Sequence, residues 1–151
     1  MADLYFEDFH VGQELPGGST HTMDADDIIR FSKLYDPQPQ HVDATAAKDT
    51  QFGELVASGW HTGGVSMRMK LDGLLGNVVG GLAGLGLDEV RWPRPVKPGD
   101  TLRIVTTIIE MRPSQSKLGK GIVRYKVKTF NQRDELVMEI VTSALMNRRP
   151  A

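Results

Sequence analysis

Near residue 80 the chain changes its hydrophobic period, and this change constrains the fold more than any other feature. Upstream, Trp60, Gly64, Met67, Leu71 and Leu74 or Leu75 recur at offsets of 4, 3, 4 and 3 to 4, the spacing of one helix face. Downstream, Val123, Tyr125, Val127 and Thr129 alternate with Arg124, Lys126 and Lys128, as in an antiparallel strand with one face in water. Leu102 to Met111 and Leu136 to Met146 are β-rich runs of similar length, and the stretch around Leu82 to Trp92 is a fourth. Turn residues separate them: Pro93, Pro95 and Pro98-Gly99-Asp100, then Pro113 to Gly121, then Asn131 to Asp134. A helix followed by four successive strands predicts an α+β fold, with a mostly antiparallel sheet wrapped around one apolar helix near 60–75. Val65 and Met69 lie off the stripe, so that helix is expected to be buried on several sides. Gly63 and Gly64 cost helix propensity and point to a backbone packed close against it.

Ahead of this helix, Ile28, Phe31 and Leu34 or Tyr35 predict a second helix over 25–35, capped by Thr22 or Asp24. It ends at Asp36, because Pro37 and Pro39 remove amide donors and push the residues before them out of helical geometry. Asp43 can cap a short helix through Ala44, Ala46 and Ala47, and Ser19 to Met23 is a short strand. A chain of 151 residues has room for one core, so one domain over 1–151 is expected.

Composition removes whole classes of function. Eighteen Lys and Arg against nineteen Asp and Glu leave a net charge of -1, too little field to draw a nucleic acid onto the surface. With no cysteine there are no disulfides, thiolate metal sites or cysteine nucleophiles. The four histidines show no metal-ligand spacing, so no metal and no cofactor is expected. The uncharged run from Gly73 to Leu87 is too short to span a bilayer, and Asp3, Glu7 and Asp8 do not open a secretory leader. A cytoplasmic protein without membrane contact is the expectation.

Chemistry concentrates in Asp36-Pro37-Gln38-Pro39-Gln40-His41, where two prolines stiffen the loop between an acid and an imidazole. Such a pair can move protons near neutral pH. By spacing alone the same residues also make an ordinary Asp-Pro turn followed by a surface histidine. A second candidate is Ala57-Ser58-Gly59-Trp60 at the start of the apolar helix, where free amides favour negative charge and glycine admits a close carbonyl. Taken alone, these residues are explained by Ser58 as a plain N-cap, with glycine chosen for its flexibility. Ser58 lacks the Gly-x-Ser-x-Gly setting of a hydrolase nucleophile, and Gly80 to Gly86 lacks the residues of a phosphate loop. Arg91, Arg94, Lys97 and Arg112 are weaker candidates for the phosphates of a carrier.

The segment from Asp36 to His41 resembles the signature of the MaoC-like dehydratases, the (R)-specific enoyl-CoA hydratase group, with Phe31 before it and Ala44, Ala46 and Ala47 after it. Phe52 to Gly59 resembles the family's second landmark, the approach to its central helix, and Pro98-Gly99-Asp100 also matches. The resemblance implies a hot-dog fold, a long central helix wrapped by antiparallel sheet, assembled as a homodimer or higher homo-oligomer. It implies a hydratase or dehydratase acting on an acyl-CoA or acyl-carrier-protein thioester, with Asp36 and His41 as the catalytic pair and the Gly59 amide as the oxyanion hole. Gln38 and Gln40 depart from the family's usual Asn and aliphatic residue, and Met67 falls near a pocket serine of some hydratases. Gln38, Trp60 and Met67 are therefore the substrate-binding candidates. A hot-dog thioesterase and a non-catalytic acyl-binding module are the alternatives.

Overall fold

The computed structural model describes residues 2–151. Strands β1 (Glu14–Pro16) and β2 (His21–Thr22) precede helix α1 (Ala25–Tyr35), the one-turn α2 (Pro39–Val42) and the central helix α3 (Gly59–Leu71). Four long strands follow, β3 (Ala83–Arg91), β4 (Thr101–Pro113), β5 (Lys120–Phe130) and β6 (Leu136–Asn147). The sheet is antiparallel in the order β1-β4-β5-β6-β3, with β2 also paired to β4.

The alternation in β5 sets the layers. Val123, Tyr125, Val127 and Thr129 are buried on the face that receives α3, while Arg124, Lys126 and Lys128 are half-exposed on the other. In register, Tyr125 lies opposite Ile108 and Thr142, and Val127 opposite Thr106 and Ile140, so one face of three strands forms a continuous floor. Val65 and Met69 pack there with Leu102, Ile104, Ile108 and Met146.

Three expectations about α3 need correction. The stripe of Trp60, Met67 and Leu71, continued by Leu74, is exposed, and the buried face instead carries Thr62, Val65, Ser66, Met69 and Lys70. On this face the Ser66 hydroxyl is satisfied without water. Ser66 Oγ donates to the Thr62 carbonyl at 2.8 Å and lies 2.7 Å from Thr129 Oγ1. Gly64 meets nothing within 4 Å and Gly63 only the end of Met138, so neither marks a close backbone approach. The helix also ends earlier than expected, at Leu71, with a 3-10 turn at Leu74–Asn77. The N-terminal segment docks there: the Gly18 amide donates to the Met69 carbonyl at 2.9 Å and Ser19 Oγ to Asp72 at 2.7 Å.

Candidate active site

Asp36 is placed by the end of one helix and the start of another. Its amide closes α1 on the Ser32 carbonyl at 2.9 Å. Pro37 then bars helix continuation, and Pro39, at the first position of α2, needs no amide partner. One turn on, His41 is buried at 6% exposure. Its Nδ1–H donates to the Val56 carbonyl at 2.7 Å, and the Val56 amide donates to the Gln40 carbonyl at 2.9 Å. This tie turns Nε2 toward Asp36. Nε2 lies 3.4 Å from Asp36 Oδ2.

The carboxylate is held by two donors. Gln38 Nε2 donates to Oδ1 at 2.7 Å and Ser58 Oγ to Oδ2 at 2.7 Å. Partial burial pushes the Asp36 carboxyl up, but these two bonds and the facing His41 outweigh it and hold the group below its ordinary value. The sequence reading treated Ser58 as a cap alone. It does cap α3, accepting from the Trp60 amide at 3.3 Å, but it also anchors Asp36 across 22 residues. Its place beside Gly59 was the available signal, and the contact itself is not local.

Gly59 opens α3, and its N–H has no acceptor among the described residues, as expected of a first-turn amide. The space a side chain would fill is occupied by Trp92: a Cβ there would lie 2.6 Å from the indole Nε1 and 2.8 Å from Cζ2. Trp92 Nε1 donates to the Gly59 carbonyl at 3.1 Å and its ring meets Trp60 edge-on at 5.4 Å. Any side chain at position 59 would therefore have to displace the Trp92 ring.

Asp36, Gln38, His41, Gly59, Trp60 and Trp92 surround a cavity of about 430 Å³. Of the sequence candidates, Met67 is not among them. It lines a second cavity of about 670 Å³ between α3 and strands β3, β5 and β6, because its position on α3 turns it away from the acid–imidazole pair. Of the basic residues considered for phosphate, Arg94 reaches the first cavity but pairs with Glu135 at 3.2 Å. Arg91 pairs with Glu89, and Lys97 with Glu54 at 3.3 Å. Among the described residues no cluster could hold a metal ion, and no helix is long and apolar enough to cross a membrane.

Comparison with known proteins identifies the family and the fold. The family description "MaoC like domain" matches residues 8–131. The crystal structure of the MaoC-like dehydratase from Rhodospirillum rubrum superposes with a TM-score of 0.90 at 38% identity, covering 98% of this chain and 99% of that one. The uncharacterized protein YdeM of Bacillus subtilis is 30% identical over 146 residues, which is 96% of this chain and 100% of the relative. Mesaconyl-CoA hydratase of Cereibacter sphaeroides is 28% identical over 98% of this chain, which spans only 42% of that enzyme. With an antiparallel sheet laid over a central helix and a family match across most of its length, the chain belongs to the MaoC-like dehydratase family and has its hot-dog fold.

Proposed function

We propose that the chain adds water to an enoyl thioester, or removes it in reverse, using Asp36 and His41 as the acid–base pair. The observation that carries this reading is the Asp36 carboxylate, fixed by Gln38 and Ser58 and facing His41 Nε2 across 3.4 Å beside the free Gly59 amide. Family membership and the hydratase among its relatives support it.

The chemistry follows from the hydrogen-bond inventory. The carboxylate and the neutral Nε2 both accept, so a water between them directs its two hydrogens at the pair and its lone pair outward. That lone pair attacks the β-carbon of the conjugated thioester while one proton passes to the pair. The C=C electrons move toward the carbonyl, and the developing oxyanion is met by the Gly59 N–H at the positive end of α3. The pair then supplies the proton taken up by the α-carbon. Dehydration runs these steps backward.

The test is incubation of the purified protein with enoyl-CoA thioesters of graded chain length, following both the conjugated chromophore and free thiol. The expected result is loss of conjugation with no thiol released. Thiol release would make the protein a thioesterase, and tight binding without either change an acyl-binding module.

The exposed apolar stripe of α3 and strand β3, with Leu85 and Leu87 each 52% exposed on an unpaired sheet edge, support assembly with a second copy. Pairing of β3 with its symmetry mate satisfies the edge and covers the stripe. Sedimentation at micromolar concentration is expected to give twice the chain mass, and a monomer at that concentration would refute this assembly.

A further inference from the structure

The larger cavity holds an unexplained charge. Lys70, on the buried face of α3, is 7% exposed and is the one charged residue on a wall otherwise built from Leu71, Leu75, Leu82, Val127 and Ile140 and other uncharged residues. Among the described residues no carboxylate pairs with it. Its single side-chain partner is Tyr125, whose Oη accepts from Nζ at 2.7 Å. A buried ammonium without a counter-charge is costly, and a bound anion would offset that cost.

Counting donors identifies that anion. The ammonium has three N–H groups and spends one on Tyr125, and the Tyr125 O–H has no acceptor among the described residues. The other polar side chains on the wall are already used: Ser66 donates to the Thr62 carbonyl and Thr142 to the Gly86 carbonyl at 2.7 Å. Lys70 and Tyr125 therefore offer two N–H groups and one O–H, side by side, at an apolar cavity. A carboxylate, with two acceptor oxygens and one negative charge, matches this set, whereas an amide or alcohol brings its own donor and no charge.

We propose that this cavity binds a carboxylate carried on an apolar chain, with Lys70 and Tyr125 as its receptor. Two sources share that chemistry: the far end of the acyl group of a thioester substrate, and a free carboxylic acid. The first rests on the hydration reading above. Gly59, Gly63, Ser66 and Lys70 follow one another at spacings of 4, 3 and 4 along one face of α3. The rise over these 11 residues is roughly 16 Å, and the lysine side chain runs back toward the helix start, which shortens the path.

Burial lowers Lys70 to about 8 and raises Tyr125 to about 12. These are the titratable groups on the wall, β3 and β6 contributing none. The ammonium is thus retained at neutral pH and lost as pH rises through about 8, and a bound carboxylate moves that loss to higher pH.

Hexanoate and its neutral counterpart hexanamide are the probes, measured by calorimetry and thermal shift. Hexanoate is expected to bind at least about tenfold more tightly at pH 7, and the preference to disappear in Lys70→Met and to decline toward pH 10 in the wild type. Equal affinities in the wild type, or a preference that persists in Lys70→Met, overturn the proposal. The pH series keeps the test decisive if that variant misfolds, because a preference unchanged at pH 10 also overturns it. Asp36→Asn should keep the hexanoate preference, so loss of hydration and loss of this site are separate results. Comparing enoyl-CoA substrates that end in carboxylate or methyl then identifies the source. A kcat/KM preference for the carboxylate that vanishes in Lys70→Met puts the anion on the acyl chain, and no such preference alongside hexanoate binding assigns the site to a free acid.

Discussion

Asp36→Asn and His41→Ala are each expected to lower kcat for thioester hydration by about 10²–10⁴, the range for removal of a positioned acid or base. The loss falls on kcat more than on KM, because both groups touch the reacting water. Asparagine keeps the shape of Asp36 but its neutral amide can neither take up nor return a proton, so the pair loses one of its two acid–base groups. Alanine at 41 also leaves the Val56 carbonyl without its 2.7 Å donor, at a stability cost of about 1–3 kcal/mol. Thermal denaturation separates that cost from the catalytic one. Unchanged turnover in both variants would remove the pair from the mechanism. A companion measurement on Ser58→Ala follows the carboxylate itself. Two donors hold the Asp36 carboxyl below its ordinary value, and removing one lets it rise. Since the active form is ionised, activity is lost as pH falls through this value, and the acid limb contributed by Asp36 moves to higher pH in the variant. An unmoved limb would mean that Ser58 acts as a cap alone, with a stability loss of about 1 kcal/mol.

How far the sequence could be read depended on whether a pattern was local. The four long strands were legible because side chains alternate with period two and proline- and glycine-rich turns punctuate the runs. Asp36 and His41 were legible as neighbours because two prolines leave the chain between them little freedom. The orientation of α3 was not. An apolar stripe states that a face wants cover and is silent about what covers it, and in this chain the sheet covers the other face, with the Ser66 hydroxyl satisfied by Thr129 and by the Thr62 carbonyl of the helix itself. The same limit hid the bond from Ser58 to Asp36, and it put Met67 with Lys70 rather than with His41. Nothing near Lys70 in sequence reveals that Tyr125, 55 residues on, is its partner.

The N-terminal strap makes the largest stability prediction. An unusual glycine content, 16 of 151 residues where ~7% is typical, implies close backbone approach somewhere in the fold. Gly18, with Gly76, is where that approach is tightest against main chain. A Cβ added at Gly18 falls inside the van der Waals envelope of the Asp72 carbonyl and of the Gly73 amide nitrogen, atoms that cannot swing aside as a side chain would. Gly17, just before it, donates to the Ile104 carbonyl at 3.2 Å, so the segment bridges β4 and the end of α3 and has little room to retreat. Accommodating alanine means shifting the strap, which breaks the bond from the Gly18 amide to the Met69 carbonyl and the one from Ser19 to Asp72. Overpacking of this kind costs about 1–3 kcal/mol and the lost bonds about 1 more. For a chain of this size Gly18→Ala is therefore expected to lower Tm by roughly 6–12 °C. The pair at Asp36 and His41 lies beyond the other end of α3, so kcat per folded molecule should be retained well below the melting range. A variant with the wild-type Tm would show that the strap accommodates a side chain at position 18 without losing its bonds to the end of α3.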